Sequence, residues 1–157
     1  MPRSVYLETT IVSYLVARPN RDLVTTAHQQ LTAEWWKERR SRFGLFASEL
    51  VIREAAAGDQ EAARRRLDAL GGVPLLALNS DVLLLAKHLV EGGAVPAVAA
   101  ADAAHIAVAT VHGMEFLLTW NCRHIANAEM RERIERACRS RGYEPPVLCT
   151  PEELMGD

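Results

Sequence analysis

Cysteine and lysine are both scarce. Cys122, Cys138 and Cys149 are the only cysteines, and Lys37 and Lys87 the only lysines, so arginine carries almost all of the positive charge. An odd cysteine set with no C-x-x-C pair excludes a disulfide framework and a zinc knuckle, and the three read as reduced thiols. No run approaches the roughly 18 apolar residues of a membrane span. The start enters a strand pattern at once, without the layout of a signal peptide, and the expected location is the cytoplasm. An excess of one charge is missing as well. Lys and Arg number 18 against 20 Asp and Glu, a net charge of −2, which argues against gripping long nucleic acid by bulk charge and leaves only a local basic patch. Repeats, linkers and low-complexity segments are absent, so a second domain is not supported.

What is present suffices for one full core over residues 1–157, with 49% hydrophobic and 24% charged residues. Ser4 to Leu7 is short, apolar and β-prone. It runs into Glu8 and a helical stretch, Ile11 to Val16, stopped by Arg18-Pro19-Asn20. Leu23, Ala27, Leu31 and Trp35 recur at helical spacing between Asp22 and about Arg40 and predict an amphipathic helix. The adjacent Trp35 and Trp36 cannot both face the core, so one is free for a protein interface or for stacking on a base.

Gly44 to Ala47 reads as a second strand, with Ser48 as N-cap of a helix over Glu49 to Ala57 that Gly58 terminates. Asp59 starts another helix, ending at Gly71-Gly72. Val73 to Leu78 is a third strand, and Ser80 caps an apolar helix that stops at Gly92-Gly93. The alanine-rich stretch Ala97 to Val111 predicts a helix lying close to a sheet, ended by Gly113 before a strand over Glu115 to Thr119. A polar helix from Ala128 to Arg141 and a strand at Val147-Leu148-Cys149 follow, and Thr150-Pro151-Glu152-Glu153 has the form of a capping box.

Strand alternating with helix implies an α/β sandwich, helices on both faces of a mainly parallel sheet. In such sheets the ligand crevice lies beyond the carboxyl ends of the strands. Glu8 and Asn121 fall at that edge, and Asp102 in the early turns of its helix. Polar side chains at the rims of such apolar segments point to a carboxylate-lined metal site.

These residues carry a resemblance. Glu8 ends the first strand. Ser48-Glu49-Leu50-Val51-Ile52-Arg53-Glu54 places a glutamate six residues after a serine. Asp102 to Ala109 forms a D-x-x-x-I-A-x-A run, and Leu118-Thr119-Trp120-Asn121 closes a strand. In order and spacing, over essentially the whole chain, this pattern resembles the PIN domain, and more narrowly the ribonuclease toxins of type II toxin-antitoxin pairs. The resemblance implies a three-layer α/β/α fold and a metal-dependent endoribonuclease. Glu8, Glu54 and Asp102 would hold Mg²⁺ or Mn²⁺, and Asn121 would complete the catalytic pocket. It also implies a small antitoxin as partner and a homodimer. Two positions depart from the pattern: Glu8 stands where an aspartate is commoner, and Asn121 replaces an acid, leaving three formal charges instead of four.

Mg²⁺ and Mn²⁺ suit such a pocket because they prefer hard oxygen ligands and relieve repulsion among clustered carboxylates. Thr9 and Thr119 are placed to orient Glu8 and metal waters through their hydroxyls. His124 is a candidate for phosphate contact or proton transfer. Glu49 competes with Glu54, and the spacing from Ser48 favours Glu54. His105, one turn from Asp102, reads as structural, and the arginines at 64–66 and from 131 to 141 as solvated helix faces. A phosphatase on another α/β scaffold would need an aspartate two residues after the first acid, where Thr10 stands. A housekeeping RNA-processing or DNA-acting nuclease of the same fold, and a binding module whose site has decayed, remain as alternatives.

Overall fold

The computed structural model describes residues 1–156. Five short strands form one sheet: β1 (Arg3–Leu7), β2 (Phe43–Ser48), β3 (Leu75–Leu76), β4 (Phe116–Leu118) and β5 (Val147–Cys149). All pair in parallel, in the order β3-β2-β1-β4-β5. Tyr6 of β1 lies opposite Phe46 of β2 on one side and Leu117 of β4 on the other. Val5, Tyr6 and Leu7 are wholly buried. A parallel sheet covered on both faces needs such a continuous apolar run instead of alternation.

Among the described residues, seven α-helices cover the sheet in two groups. α1 (Thr9–Val16), α2 (Leu23–Glu38), α3 (Glu49–Ala55) and α4 (Gln60–Ala69) pack among themselves, and α5 (Ser80–Glu91) packs on α6 (Ala100–Val111) and α7 (Ala128–Ser140). The chain therefore forms the expected α/β/α sandwich. With β1 in the middle, the strand order reverses between β1 and β4, so the edge beyond Leu7 and Leu118 is the topological switch point where such sheets open a crevice.

Several element boundaries differ from the sequence expectation. α1 begins at Thr9, because the Glu8 side chain accepts from Thr10 N and serves as its N-cap. β3 shrinks to two residues at the sheet edge. α5 is capped by Asn79, whose Oδ1 accepts from Val82 N at 3.0 Å, and Ser80 is its first helical residue. The run from Ala97 opens as a 3-10 turn, Ala97–Ala99, and becomes α-helical only at Ala100. Gly113, at φ 70°, closes α6 in the left-handed region that favours glycine and lets Met114 N donate to Ala109 O at 3.0 Å, which turns the chain directly into β4. The capping box forms as expected, Glu153 Oε1 accepting from Thr150 N at 3.1 Å, but it closes a turn, not a helix.

The buried stripe of α2 also differs. Leu23 is 85% exposed, while Thr32 and Trp35 are wholly buried. Thr32 faces inward because its hydroxyl accepts from the Trp120 indole at 2.6 Å and donates to His28 O at 2.6 Å, so both of its polar functions are met inside. Trp35 anchors the core and donates to Leu154 O, whereas Trp36 is half-buried beneath the Arg40 guanidinium, 4.1 Å from its ring centre. All three cysteines are free.

Candidate metal centre

Three side chains converge at the switch point. One ligating atom from each of Glu8, Glu54 and His105 lies within 4.8 Å of the others. Glu8 follows β1, Glu54 sits in the last turn of α3, and His105 is on the face of α6 turned to the sheet. Their convergence follows from the strand order, since α3 leaves β2 and α6 crosses β1 to lead into β4.

Glu8 is only 4% exposed. A carboxylate so buried must be strongly hydrogen-bonded. Its Oε1 accepts from Thr10 N at 3.1 Å, from Thr10 Oγ1 at 2.5 Å and from Thr119 Oγ1 at 2.7 Å. Thr10 Oγ1 in turn accepts from Trp120 N, and Thr119 Oγ1 from Asn121 N, so the two threonines tie the ends of β1 and β4 together through one carboxylate oxygen. The other oxygen, Oε2, has no hydrogen bond among the described residues.

Glu54 repeats the arrangement. Its Oε1 accepts from Thr9 Oγ1 at 2.5 Å and from His105 Nε2 at 2.8 Å, and its Oε2 is unbonded among the described residues. Burial raises the carboxyl pKa, but the hydrogen bonds from His105 and Thr9 outweigh it and hold Glu54 below the ordinary glutamate value. Thr9, expected to orient Glu8, therefore serves Glu54, and Thr10 takes the place beside Glu8. The reason is helical: once Glu8 is the N-cap, Thr9 and Thr10 point about 100° apart.

His105, read from the sequence as structural, is the residue that reading underrated. It is 1% exposed and sits at the end of a buried chain of donors. Val51 N–H donates to Ser48 Oγ, Ser48 lies 2.8 Å from Tyr6 Oη, and Tyr6 Oη lies 2.8 Å from His105 Nδ1. Only one direction satisfies every group: Ser48 O–H to Tyr6, Tyr6 O–H to Nδ1, and Nε2–H to Glu54. Burial raises the Tyr6 pKa well above that of an ordinary phenol, more than the Ser48 bond lowers it, and the charges of Glu8 and Glu54 raise it further; Tyr6 remains a donor. His105 is thereby held as the Nε2–H tautomer and orients Glu54.

Asp102 lies one turn before His105 on α6 but outside the three-residue group. Its Oδ2 is 3.1 Å from His124 Nδ1, while Oδ1 carries no hydrogen bond among the described residues. Asn121 turns its Oδ1 to its own backbone, accepting from Arg123 N at 3.2 Å and His124 N at 3.0 Å, so both lone pairs are in use and the residue shapes the turn that presents His124. Glu49 is exposed at the start of α3, away from the group. Glu8 and Glu54 each keep one hard oxygen without a partner among the described residues, a pair that fits Mg²⁺ or Mn²⁺, which take one or two carboxylates and retain water; Asp102 keeps one as well, outside that group. No helix among the described residues is long and apolar enough to cross a membrane. Compared with protein-family models and with curated proteins, the chain matches none.

Proposed function

We propose that this chain is a PIN-like metal-dependent endoribonuclease. The observation that supports this most directly is that Glu8 and Glu54 each commit one oxygen to protein donors and leave the other free, at the switch point of a parallel sheet. Neither free oxygen is a buried orphan, and the Glu54 side chain is 33% exposed, so each oxygen can take a ligand without disturbing the bonds that hold its carboxylate. Glu8 and Glu54, with Asp102 beside them, would hold Mg²⁺ or Mn²⁺. When bound, such a cation supplies Lewis-acid activation of water and neutralises charge at a phosphodiester. Hydrolysis forms one P–O bond to water and breaks another, leaving a phosphate monoester and a free hydroxyl. In this reading Thr10 and Thr119 hold Glu8, and Thr9 and His105 hold Glu54. His124, fixed by Asp102 and by the Asn121 turn, stands at the rim for contact with phosphate.

A toxin of a toxin-antitoxin pair, held by a small antitoxin in the cytoplasm, is the role we propose for that activity. A homodimer belongs to it, with Leu83 and Leu84 of α5, 63% and 55% exposed, as the apolar surface to be covered. A second reading, a catalytically weak binding module, is favoured by one observation: Asp102 is engaged by His124 and Asn121 by its own turn. Single-stranded RNA, incubated with Mn²⁺, with Mg²⁺ or with chelator, separates the two. Metal-dependent cleavage that Glu8→Gln abolishes supports the nuclease. RNA bound but uncut at every metal concentration supports the module.

A further inference from the structure

The arginines at 64–66 do not behave alike. Arg64 is paired with Glu61 and Asp68 on the solvated face of α4. Arg66 is pinned to the chain, its Nε donating to Ala55 O at 2.9 Å and its Nη2 to Ala57 O at 2.6 Å. Arg65 has neither kind of partner among the described residues, and its Nε is buried with nothing to bond. Leaving a cationic donor in that condition costs free energy unless something completes it.

Arg65 and Arg66 line a cleft of about 430 Å³ between α4 and the end of α1, with Arg18 on the opposite wall. The Arg18 guanidinium is also unpaired among the described residues. Asp59 is the one acid lining the cleft among the described residues, and its Oδ2 is engaged at 2.9 Å as N-cap of α4. Three guanidiniums against one engaged carboxylate make this a positive cleft in a chain of net charge −2.

Its position gives it a meaning. Ser13 and Val16, which line it, lie four and seven residues after Thr9, and so on the same stripe of α1 as the hydroxyl that binds Glu54. The run from Thr9 to Val16 is about 10 Å, which is roughly three stacked nucleotides at about 3.4 Å each. The cleft therefore continues the candidate metal centre along one helix.

We propose that this cleft is a phosphate-binding subsite in which Arg18 and Arg65 grip the backbone of single-stranded RNA a few nucleotides from the bond to be cut. This rests on the ribonuclease reading. An acidic protein segment would meet the same charge, but nothing would then require the cleft to lie on the stripe that starts at Thr9.

The test uses the full chain and a fluorescent single-stranded RNA of about eight nucleotides, bound in chelator across a salt series and cleaved with Mn²⁺. Arg18→Gln, on an exposed side chain, and Arg65→Gln are compared with the parent, with thermal melts to verify the fold. We expect each variant to bind RNA several-fold more weakly and to flatten the log–log salt slope by about 0.7 for each phosphate that is no longer neutralised. KM should rise at unchanged kcat, and a trinucleotide too short to reach the cleft should not distinguish variant from parent. If the parent cleaves RNA and both variants keep its KM and salt slope, the subsite is overturned while the nuclease reading stands. If the parent neither binds nor cleaves RNA, both fall. A variant that loses only the binding of polyglutamate assigns the cleft to an acidic protein and overturns the proposal.

Discussion

His105 Nε2 stands 2.8 Å from Glu54 Oε1, and the imidazole that makes this bond is fixed from behind by Tyr6, not by solvent. The pair links a helix on one face of the sheet to a helix on the other across the buried side chain of β1. The ionised form of Glu54 is thereby prepared before any cation arrives.

Tyr6→Phe removes a single hydroxyl and leaves Ser48 Oγ–H and His105 Nδ1 without their buried partner. We expect a loss of about 1–3 kcal/mol in stability. If His105 orients Glu54, the Mn²⁺-induced rise in melting temperature should shrink as well. Melts of parent and variant with and without Mn²⁺ measure both; an undiminished metal response would reduce the relay to packing.

Glu54 titrates below the ordinary value of 4.5 in the folded chain. A lowered pKa means that its contribution to stability is fully present above the unfolded value and is lost as pH falls through the folded one. Parent stability should therefore decline below about pH 4.5 more steeply than that of Glu54→Gln. Urea titrations from about pH 6 downward compare the slopes, and parallel curves would contradict the bond to His105.

Asp102→Asn keeps size and helix position and deletes one charge. Without metal, the variant keeps a hydrogen-bonding group opposite His124 and sheds repulsion from Glu8 and Glu54, so it should be as stable as the parent or more so. With metal, only the parent should gain, by about 2.7 kcal/mol at a free concentration near one hundred times the dissociation constant. Equal metal-induced shifts in parent and variant would remove Asp102 from the ligand set.

Thr32→Val preserves shape but strands the Trp120 indole N–H, which Thr32 Oγ1 accepts at 2.6 Å. A cost of about 1–3 kcal/mol in a denaturant melt is expected, with metal response unchanged, since the bond lies outside the carboxylate group.

Periodicity in the chain was enough to specify an α/β sandwich with its sheet and helices in order, because a covered parallel sheet demands apolar runs and its helices demand caps and glycine stops. Glu8 was legible as a candidate because it ends an apolar strand, and Glu54 through its spacing from Ser48; Asp102 was read likewise but lies outside their group, and Asn121 is bound to its own turn. Local chemistry competing at close range blurred the boundaries. Asn79 took the cap expected of Ser80, and Glu8 became a cap itself. Leu23 was read into the buried stripe of α2 and is exposed, while Thr32 goes inside, since periodicity treats threonine as polar and cannot see the indole and carbonyl that satisfy it there.

What only the tertiary structure decided is which of these groups meet. Tyr6 and His105 are 99 residues apart, and Thr119 and Glu8 are 111 apart. Nothing in the local pattern of either partner encodes the other. Strand order brings them together: placing β1 between β2 and β4 gathers the ends of distant elements at one switch point, and burial there leaves each carboxylate to find its donors among whatever the topology delivers.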